Sequence, residues 1–396
     1  MAKVSIRDLD LKGKVVFMRV DFNVPLNDQG EITDDTRIRA SLPSIKLALE
    51  SGAKLILASH LGRPKGKVNP KMSLEPAAVR LAELLNKPVA FSTDCIGPER
   101  DKNVAELQEG GVVLLENLRF HKEEKDNDPE FAKQLAGNAE VYINDAFGSA
   151  HRAHASTEGI AHQVQVKGSG LLMEKELEYL GRALKNPQHP YVAIVGGAKV
   201  SDKIKFLQNL IGMADTVLIG GAMAYTFLKA QGIEVGLSKL EADKLDLARE
   251  LLEQAKQKNV DFRLPVDHVV AEKFDVSAAA ETTDSASIPA DRMGLDIGPK
   301  TRAAYVEAIK GAKMIIWNGP MGVFEIDQFA QGTVDVAKAV AASEAVSIVG
   351  GGDSVAAIGK TGVGAQITHI STGGGASLEF LSGLDLPGVE ALPEKQ

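Results

Sequence analysis

Short runs of β-branched and aliphatic residues alternate with amphipathic helical patterns along the whole chain of 396 residues. This alternation is typical of units in which a helix joins two neighbouring parallel strands. The predicted strands are KVVFMRV from Lys14, KLILAS from Lys54, VVLLEN from Val112, EVYIND from Glu140, YVAIVGG from Tyr191, TVLIGG from Thr216, KMIIWNG from Lys313, VSIVGGGD from Val346 and THISTGGG from Thr368. A further extended run, VDFRLPVDHVVA, begins at Val260. Among the intervening helices, one is predicted from Ser238 to Lys258, with Ser238 and Glu241 as a capping box.

A helical stretch at 171–186 ends at Pro187 and separates the first four strands from the others. We therefore predict an α/β fold of two Rossmann-like lobes, each with a doubly wound parallel sheet, joined by a hinge helix. The first lobe would span 1–170, the hinge 171–186 and the second lobe 187–380.

Composition excludes several classes of protein. The single cysteine, Cys95, excludes a disulfide framework and any site with several cysteine ligands. The N-terminus has no apolar signal segment and no stretch approaches 18 uninterrupted apolar residues, so we expect a cytoplasmic chain without a membrane segment. The net charge of −8 argues against nucleic-acid binding, whereas five Lys or Arg without an acid between Ser51 and Leu74 favour a small anionic ligand.

In the second half, five strands end in glycine-containing turns: VGGAK, IGGAM, WNGP, VGGGD and STGGG. Glycine allows a ligand to approach the backbone closely, and N–H groups at a helix N-terminus bind anions. Lys199 and Lys203 follow the first turn, where Ser201 or Asp202 would cap the helix, and Asp353 suits an N-cap or a Mg²⁺ ligand. Tight turns alone explain any single pair of glycines, but together these features favour a nucleotide polyphosphate. No GxGxxG follows a strand, which weakens a dinucleotide-dehydrogenase interpretation.

In the first half, the strand ends carry arginine and histidine instead. The residues brought together there are Arg19, Asp21, Asn23, His60, Arg63, Arg119, Arg152 and His154, with Arg37 soon after the first strand. Arginine binds carboxylate and phosphate in a bidentate manner, so this group suits an acid with more than one anionic group. Arg19 is equally consistent with a structural ion pair, and a capped or packed histidine is a simpler account of His151 and His154 than a metal site.

The motifs RVDFNVP, HLGRP, ENLRF, GSAHRAHAS, GGAKVSDK, WNGPMGVFE, GGGDS and STGGGASLE occur in this order, and over nearly the whole chain they resemble the phosphoglycerate kinase family. The resemblance implies reversible phosphoryl transfer from 1,3-bisphosphoglycerate to MgADP, giving 3-phosphoglycerate and MgATP. It also implies a monomer that acts on small-molecule substrates, with Mg²⁺ as cofactor, and a segment 381–396 that returns to the first lobe. The alternative from another class is a non-catalytic, two-lobed binding protein for a phosphorylated acid.

The resemblance assigns site residues motif by motif. For phosphoglycerate it implies Asp21, Phe22, Asn23, Arg37, His60, Leu61, Gly62, Arg63, Arg119, Arg152 and His154. For the nucleotide it implies Lys199, Lys203, Gly220, Gly221, Gly294, Asn318, Glu325, Gly351, Gly352, Asp353 and Ser354, with Asp353 on Mg²⁺. The catalytic groups would be Arg37, Lys199, Gly352 and Gly375, with Gly373 to Gly375 supplying backbone donors. The chain departs from the commoner family pattern at Ala222, Ser382 and Leu384.

Overall fold

A computed structural model describes residues 2–395 as two compact units. One unit contains the chain up to Glu178 together with the segment from Asp385 onward, and the other is Tyr179–Leu384. Each unit is built around a six-stranded sheet in which every neighbouring pair of strands is parallel. The predicted α/β class with two parallel-sheet lobes is therefore confirmed.

The first unit orders its strands β3-β4-β2-β1-β5-β6. Its strands are β1 (Val15–Arg19), β2 (Lys54–Ala58), β3 (Ala90–Ser92), β4 (Val112–Leu115), β5 (Val141–Asn144) and β6 (Val166–Ser169). Its helices are α1 (Thr36–Glu50), α2 (Glu75–Leu85), α3 (Pro98–Ala105), α4 (Lys122–Asp126) and α5 (Pro129–Ala136). Val16 and Met18 pack with α1 and α2 in one apolar cluster, whereas Phe17 packs with α5 in another. The sheet is thus covered on both faces, as its continuous apolar strands require.

Helix α6 (Leu171–Lys185) follows β6 and crosses the boundary between the two units. At the other end of the chain, α14 (Pro387–Glu390) belongs to the first unit. There the N–H of Gly388 donates to the carbonyl of Ala150 at 2.8 Å, and the Asn144 side chain donates to the carbonyl of Gly388 at 3.2 Å.

The second unit orders its main sheet β15-β14-β13-β7-β8-β9 and adds a three-stranded antiparallel sheet, β11-β10-β12. Its strands are β7 (Tyr191–Val195), β8 (Thr216–Ile219), β9 (Asp261–Arg263), β10 (His268–Ala271), β11 (Glu281–Thr282), β12 (Met293–Ile297), β13 (Met314–Asn318), β14 (Val346–Gly350) and β15 (His369–Ile370). Its helices are α7 (Ile204–Ile211), α8 (Met223–Ala230), α9 (Leu245–Gln257), α10 (Pro299–Lys310), α11 (Gln331–Ala342), α12 (Gly352–Thr361) and α13 (Gly375–Leu381).

In this unit the extended run from Val260 is divided, and the predicted helix start at Ser238 is wrong. The run from Val260 forms two strands, β9 and β10, in different sheets, because Pro265 lacks the N–H that a continuous strand needs. Helix α9 begins at Leu245, and no capping box forms at Ser238. The Ser238 hydroxyl accepts from the N–H of Gly294 at 2.9 Å instead, so a contact with β12 overrides the local pattern.

Candidate functional site

The carboxyl ends of β1, β2, β4 and β5 meet at one edge of the first sheet, as parallel strands require. Asp21, just beyond β1, is 7% exposed, and one of its carboxylate oxygens lies 2.5 Å from the guanidinium of Arg37 in the first turn of α1. Burial opposes ionisation of Asp21, yet the positive groups around it, Arg37 and Arg19 among them, hold its pKa below the ordinary value. The two residues therefore form a charged pair at the rim of the strand ends.

Arg19 ends β1 and is completely buried. Its Nε donates to the Ser156 hydroxyl at 2.8 Å, and its Nη2 lies 3.2 Å from Nδ1 of His60. Because a guanidinium only donates, His60 accepts at Nδ1 and carries its proton on Nε2 when neutral. Burial lowers the pKa of His60 well below its ordinary value, so the ring is neutral at pH 7 and offers an Nε2–H donor.

Glu124 lies on α4, is fully buried and accepts from the hydroxyl of Ser156 at 2.6 Å and from its N–H at 2.9 Å. Burial raises the pKa of Glu124, although the charge of Arg19 opposes this. His154, 6% exposed, has Nδ1 4.0 Å from this carboxylate. Its own pKa falls to about 3, first through burial and then through nearby cations, so this histidine is also neutral at pH 7.

The backbone after β2 is fixed by side chains from two other strand ends. The Asn23 side chain accepts from the N–H of Gly62 at 2.8 Å, and Arg119 donates to the carbonyl of Gly62 at 2.9 Å. Burial lowers the pKa of Arg119 to about 10, which leaves it cationic at pH 7. Asn117, which the sequence analysis missed, exchanges two hydrogen bonds with the backbone of Leu61, at 3.1 and 2.7 Å. A single asparagine at a strand end forms no sequence pattern that predicts these two hydrogen bonds.

The remaining predicted residues of this unit fall into two groups. Phe22 and Leu61 have buried side chains, and the N–H of Phe22 donates to the hydroxyl of Ser59 at 2.8 Å. Arg63 and Arg152 are exposed, and neither guanidinium forms a hydrogen bond or ion pair with residues 2–395. The first unit therefore presents two unpaired arginines beside a buried, charged framework.

In the second unit, Lys203 follows the glycine turn after β7. Its Nζ donates to the carbonyl of Asn318 at 2.9 Å and to the side-chain oxygen of Asn318 at 2.5 Å. Burial lowers the pKa of Lys203 to about 8, although the charges of Asp353 and Asp202 oppose this. The Asn318 side chain in turn donates to the carbonyl of Gly350 at 3.0 Å, which joins the ends of β13 and β14.

The predicted helix cap in the same turn is wrong. Ser201 donates its hydroxyl to Glu241 at 2.5 Å and its N–H to the same carboxylate at 3.1 Å. Residues Ser201–Lys203 form a 3₁₀ turn, and α7 begins at Ile204 with no side-chain cap. The carboxylate thus binds the turn from outside, and Lys199 stays exposed beside it.

The turn after β14 leads directly into α12. Gly351 has φ +95°, a conformation that favours glycine, and α12 then begins at Gly352, with exposed Asp353 in its first turn. Ser354 is fully buried, and its hydroxyl accepts from the N–H of Gly319 at 2.6 Å. Backbone donors of the α12 N-terminus and the Asp353 carboxylate therefore share one exposed edge.

In the glycine turn after β15, one backbone N–H is already hydrogen-bonded to a side chain of the protein. Gly373 donates its N–H to the Ser371 hydroxyl at 3.1 Å, and α13 begins at Gly375. Further along, Ser382 ends α13 and donates its hydroxyl to the carbonyl of Leu378 at 2.6 Å. Leu384 is 37% exposed.

A cavity of about 490 Å³ opens beside these turns. Among its lining residues are the predicted Gly221, Gly294, Glu325 and Asp353, with Ala222 at the departure from the commoner pattern. The sequence analysis missed Tyr225, Leu237 and Phe274, which also line it. Leu237 and Phe274 are 55% and 62% exposed, and separate loops supply them, so no periodicity marks them. A cavity with apolar walls and a few polar groups suits a planar base with a polar tail.

Two glycines make this cavity possible. A Cβ on Gly294 would lie 2.2 Å from the hydroxyl oxygen of Tyr225. Gly221 has φ +68°, and a Cβ there would lie 2.5 Å from the backbone nitrogen of Gly197. Any larger residue at either position would push against the cavity wall.

The chain is an α/β protein with cationic strand ends in one unit and glycine turns beside a carboxylate and a cavity in the other, groups that suit phosphorylated ligands. The family model of phosphoglycerate kinase matches residues 6–384. Phosphoglycerate kinases of Koribacter versatilis and Acidobacterium capsulatum are each 62% identical to the chain and align over 100% of both sequences. The solved phosphoglycerate kinase of Coxiella burnetii is 44% identical, covers 98% of both chains and superposes with a TM-score of 0.90.

The chain therefore belongs to the phosphoglycerate kinase family. This membership confirms the resemblance drawn from the motifs and makes the chain a phosphotransferase, not a non-catalytic binding protein. No helix within residues 2–395 is long and apolar enough to span a membrane.

Proposed function

We propose that the chain transfers the acyl phosphate of 1,3-bisphosphoglycerate reversibly to MgADP, giving 3-phosphoglycerate and MgATP. The observation that carries the proposal is that the two units have chemically different clusters of residues at the carboxyl ends of their parallel strands. One is rich in arginine and histidine. The other combines glycine backbone, the two lysines Lys199 and Lys203, and the carboxylates of Glu325 and Asp353 beside an apolar cavity.

The first unit binds the phosphoglycerate in this proposal. Arg63 and Arg152 hold one anionic group of the ligand because their guanidinium groups are exposed and unpaired within residues 2–395. His60 donates from Nε2, since Arg19 occupies Nδ1. Arg37 orients the reacting carboxyl group and stabilises the transferring phosphoryl group. Its ion pair with Asp21 holds the Arg37 guanidinium in position on α1.

The second unit binds the nucleotide. Its base lies in the cavity between Gly221 and Gly294, and Glu325 contacts the ribose. Lys203 and Asn318 contact the phosphates, together with N–H groups at Gly351 and Gly352. Lys199, exposed in its turn, meets the transferring group from the nucleotide side, and the N–H of Gly375 adds a donor.

Magnesium fits this donor set. Mg²⁺ is typically held by one or two carboxylates plus substrate phosphates, and Asp353 supplies an exposed carboxylate at the cavity. The negative charge of Asp353 also favours the ammonium form of Lys203. An anionic and a cationic side chain therefore lie at the same edge of the sheet. When bound, Mg²⁺ neutralises phosphate charge and orients the phosphate chain.

No protein nucleophile is needed in this reaction, because the carboxylate of 3-phosphoglycerate attacks the γ-phosphorus of ATP directly in the reverse direction. The bond from phosphorus to the β-phosphate oxygen breaks as the new acyl-phosphate bond forms. Arg37 and Lys199 neutralise the charge on the phosphoryl oxygens during the transfer. Water must be excluded while this happens, since it would otherwise accept the phosphoryl group.

We further propose lobes 1–170 and 187–380 with 171–186 as the hinge and 381–396 returning to the first lobe, in a monomer that works in the cytoplasm. A hinge allows each substrate to bind separately before water is excluded.

Calorimetric titration of two variants tests the ligand assignments. Asp353→Asn should weaken MgADP binding by about tenfold or more, with 3-phosphoglycerate affinity unchanged, and Arg152→Ala should do the reverse. Glu344→Gln, an exposed carboxylate outside both clusters, is the control and should change neither. If Asp353→Asn weakened 3-phosphoglycerate instead, the assignment of the nucleotide to the second unit would fail.

A further inference from the structure

Asp94, Cys95 and His121 form a cluster in the first unit that the proposed reaction does not use. One ligand atom from each side chain lies within 4.8 Å of the others, and together they supply an oxygen, a sulfur and a nitrogen. Asp94 and Cys95 follow β3, whereas His121 follows the turn Leu118–Phe120 after β4. Neighbouring parallel strands therefore bring the donors together, although they are far apart in the sequence.

Hydrogen bonds and ring packing hold Asp94 and His121 beside Cys95. Oδ1 of Asp94 lies 2.7 Å from Nε2 of His121 and accepts from the N–H of Cys95, also at 2.7 Å. The imidazole packs on Phe131, with ring centroids 5.2 Å apart, which limits its rotation. Such outer packing and hydrogen bonding commonly hold metal ligands in place.

The donors lie within about 1.5 Å of the spacing that a tetrahedral site needs. With metal–nitrogen and metal–oxygen bonds of about 2.1 Å and a metal–sulfur bond of about 2.3 Å, tetrahedral ligand atoms lie roughly 3.3–3.6 Å apart. The carboxylate oxygen and the imidazole nitrogen, 2.7 Å apart, need to separate by about 0.7 Å to reach this distance. The thiol lies within 4.8 Å of both.

The environment leaves room for a fourth ligand. Cys95 is 1% exposed, so the sulfur approaches from the protein side, whereas the side chains of Asp94 and His121 are 48% and 27% exposed. Water can therefore complete the coordination from solvent. The thiol itself has no disulfide partner, because Cys95 is the single cysteine of the chain.

We infer that Asp94, Cys95 and His121 form a binding site for a thiophilic divalent cation of the zinc class, separate from the Mg²⁺ of the nucleotide. The thiolate selects zinc, cobalt or copper over magnesium, which prefers oxygen ligands. On binding, the cysteine thiol loses its proton to solvent as the sulfur–metal bond forms. His121 binds through Nε2 in the tautomer that carries its proton on Nδ1.

Cobalt(II) spectroscopy tests this site without measuring activity. Metal-free protein is titrated with Co²⁺ in the presence of excess Mg²⁺. The site predicts one equivalent of Co²⁺ with visible bands of tetrahedral type and a near-ultraviolet charge-transfer band from the thiolate. Added Zn²⁺ should abolish both, because zinc binds the same ligands more tightly than cobalt.

Variants separate this site from adventitious binding. Cys95→Ala should remove the charge-transfer band, and His121→Asn should weaken Co²⁺ binding by roughly tenfold or more. His162→Asn is the matched control, because His162 also pairs with a carboxylate, that of Glu158, but without a thiol. The absence of a thiolate band in the unmodified protein, or its persistence in Cys95→Ala, would overturn the inference. If Cys95→Ala fails to fold, equal Co²⁺ affinity of His121→Asn and His162→Asn would overturn it.

Discussion

The paired residues Arg37 and Asp21 show how single side chains carry the proposed chemistry. Nη1 of Arg37 on α1 lies 2.5 Å from the buried carboxylate of Asp21, which holds the guanidinium in place, and 35% of the Arg37 side chain is exposed. A group held in this way needs no reorganisation when charge develops on a substrate. The sequence predicted both residues, because charged groups beside strand ends form a recognisable pattern.

Arg37→Ala should lower the turnover number by about 10²–10³, which is the usual cost of removing one donor to a transition-state charge. Affinity for MgADP should not change, because Arg37 lies in the other unit. Steady-state kinetics and nucleotide titration measure the two effects. Arg39→Ala is the control, since Arg39 lies on the same helix but pairs with Asp35 at 2.8 Å. Equal turnover in the unmodified protein and in Arg37→Ala would remove Arg37 from the mechanism.

The lowered pKa of Lys203 predicts that nucleotide binding is accompanied by proton uptake. Burial lowers its pKa to about 8, so part of the free protein carries a neutral lysine at pH 8. A polyphosphate beside it favours the ammonium form and raises the pKa, so nucleotide binding should take up a fraction of a proton at pH 8. Calorimetry in buffers of different ionisation enthalpy measures this uptake.

Lys203→Arg should bind nucleotide without the proton uptake, because arginine stays charged at this pH. Lys205→Arg, an exposed neighbour, should keep the uptake. Release of protons on binding, or the same uptake in Lys203→Arg, would show that Lys203 does not meet the phosphates.

Other residue roles were beyond sequence reasoning. Arg19 had two open interpretations, and only the structure joins it to Ser156 and His60 in one buried network. Asn117 gave no signal at all, because a hydrogen bond to a loop from another strand has no local sequence pattern. Contacts between distant segments decide both cases.

At the level of elements, the buried parallel strands were predictable from the sequence, whereas the short strands and a helix start were not. Each of the nine predicted strands other than the run from Val260 contains an observed strand, since buried parallel strands are short and continuously apolar. The short strand β3 and the strands of the small antiparallel sheet have weaker hydrophobic patterns in the sequence, so they were not predicted as separate strands. The capping box at Ser238 does not form because Ser238 binds Gly294 of β12 and Glu241 binds Ser201, both from distant segments.

Strand β12 supplies a test of the nucleotide cavity. Gly294→Ala places a Cβ 2.2 Å from the hydroxyl oxygen of Tyr225, so the wall of the cavity proposed for the base must shift. Overpacking of this kind costs about 1–3 kcal/mol, and we expect nucleotide affinity to fall on the order of tenfold or more. Titration with MgADP and with 3-phosphoglycerate should show a loss for the nucleotide only.

Gly311→Ala is the matched control, because no atom lies within 4 Å of a Cβ at Gly311 and its φ is negative. Its nucleotide affinity should equal that of the unmodified protein. Unchanged MgADP binding in Gly294→Ala would contradict the location of the base.

At the level of the whole molecule, the two units place different chemical groups on one architecture, and the proposal assigns a different ligand to each. Both place functional groups at the carboxyl ends of parallel strands, yet one supplies cations and the other bare backbone. This difference was visible in the sequence as arginine against glycine after successive strands. The identity of the acid was not, because two anionic groups in a crevice describe many acids, and only the family motifs selected phosphoglycerate.

The most direct test of the account is a coupled assay of ATP-dependent phosphorylation of 3-phosphoglycerate by the purified chain. The acyl phosphate formed is reduced by an added dehydrogenase, and the oxidation of NADH is followed by absorbance. The account predicts turnover that requires ATP, Mg²⁺ and 3-phosphoglycerate together and that falls by about 10²–10³ in Arg37→Ala. Turnover without 3-phosphoglycerate, or none with all three present, would contradict it.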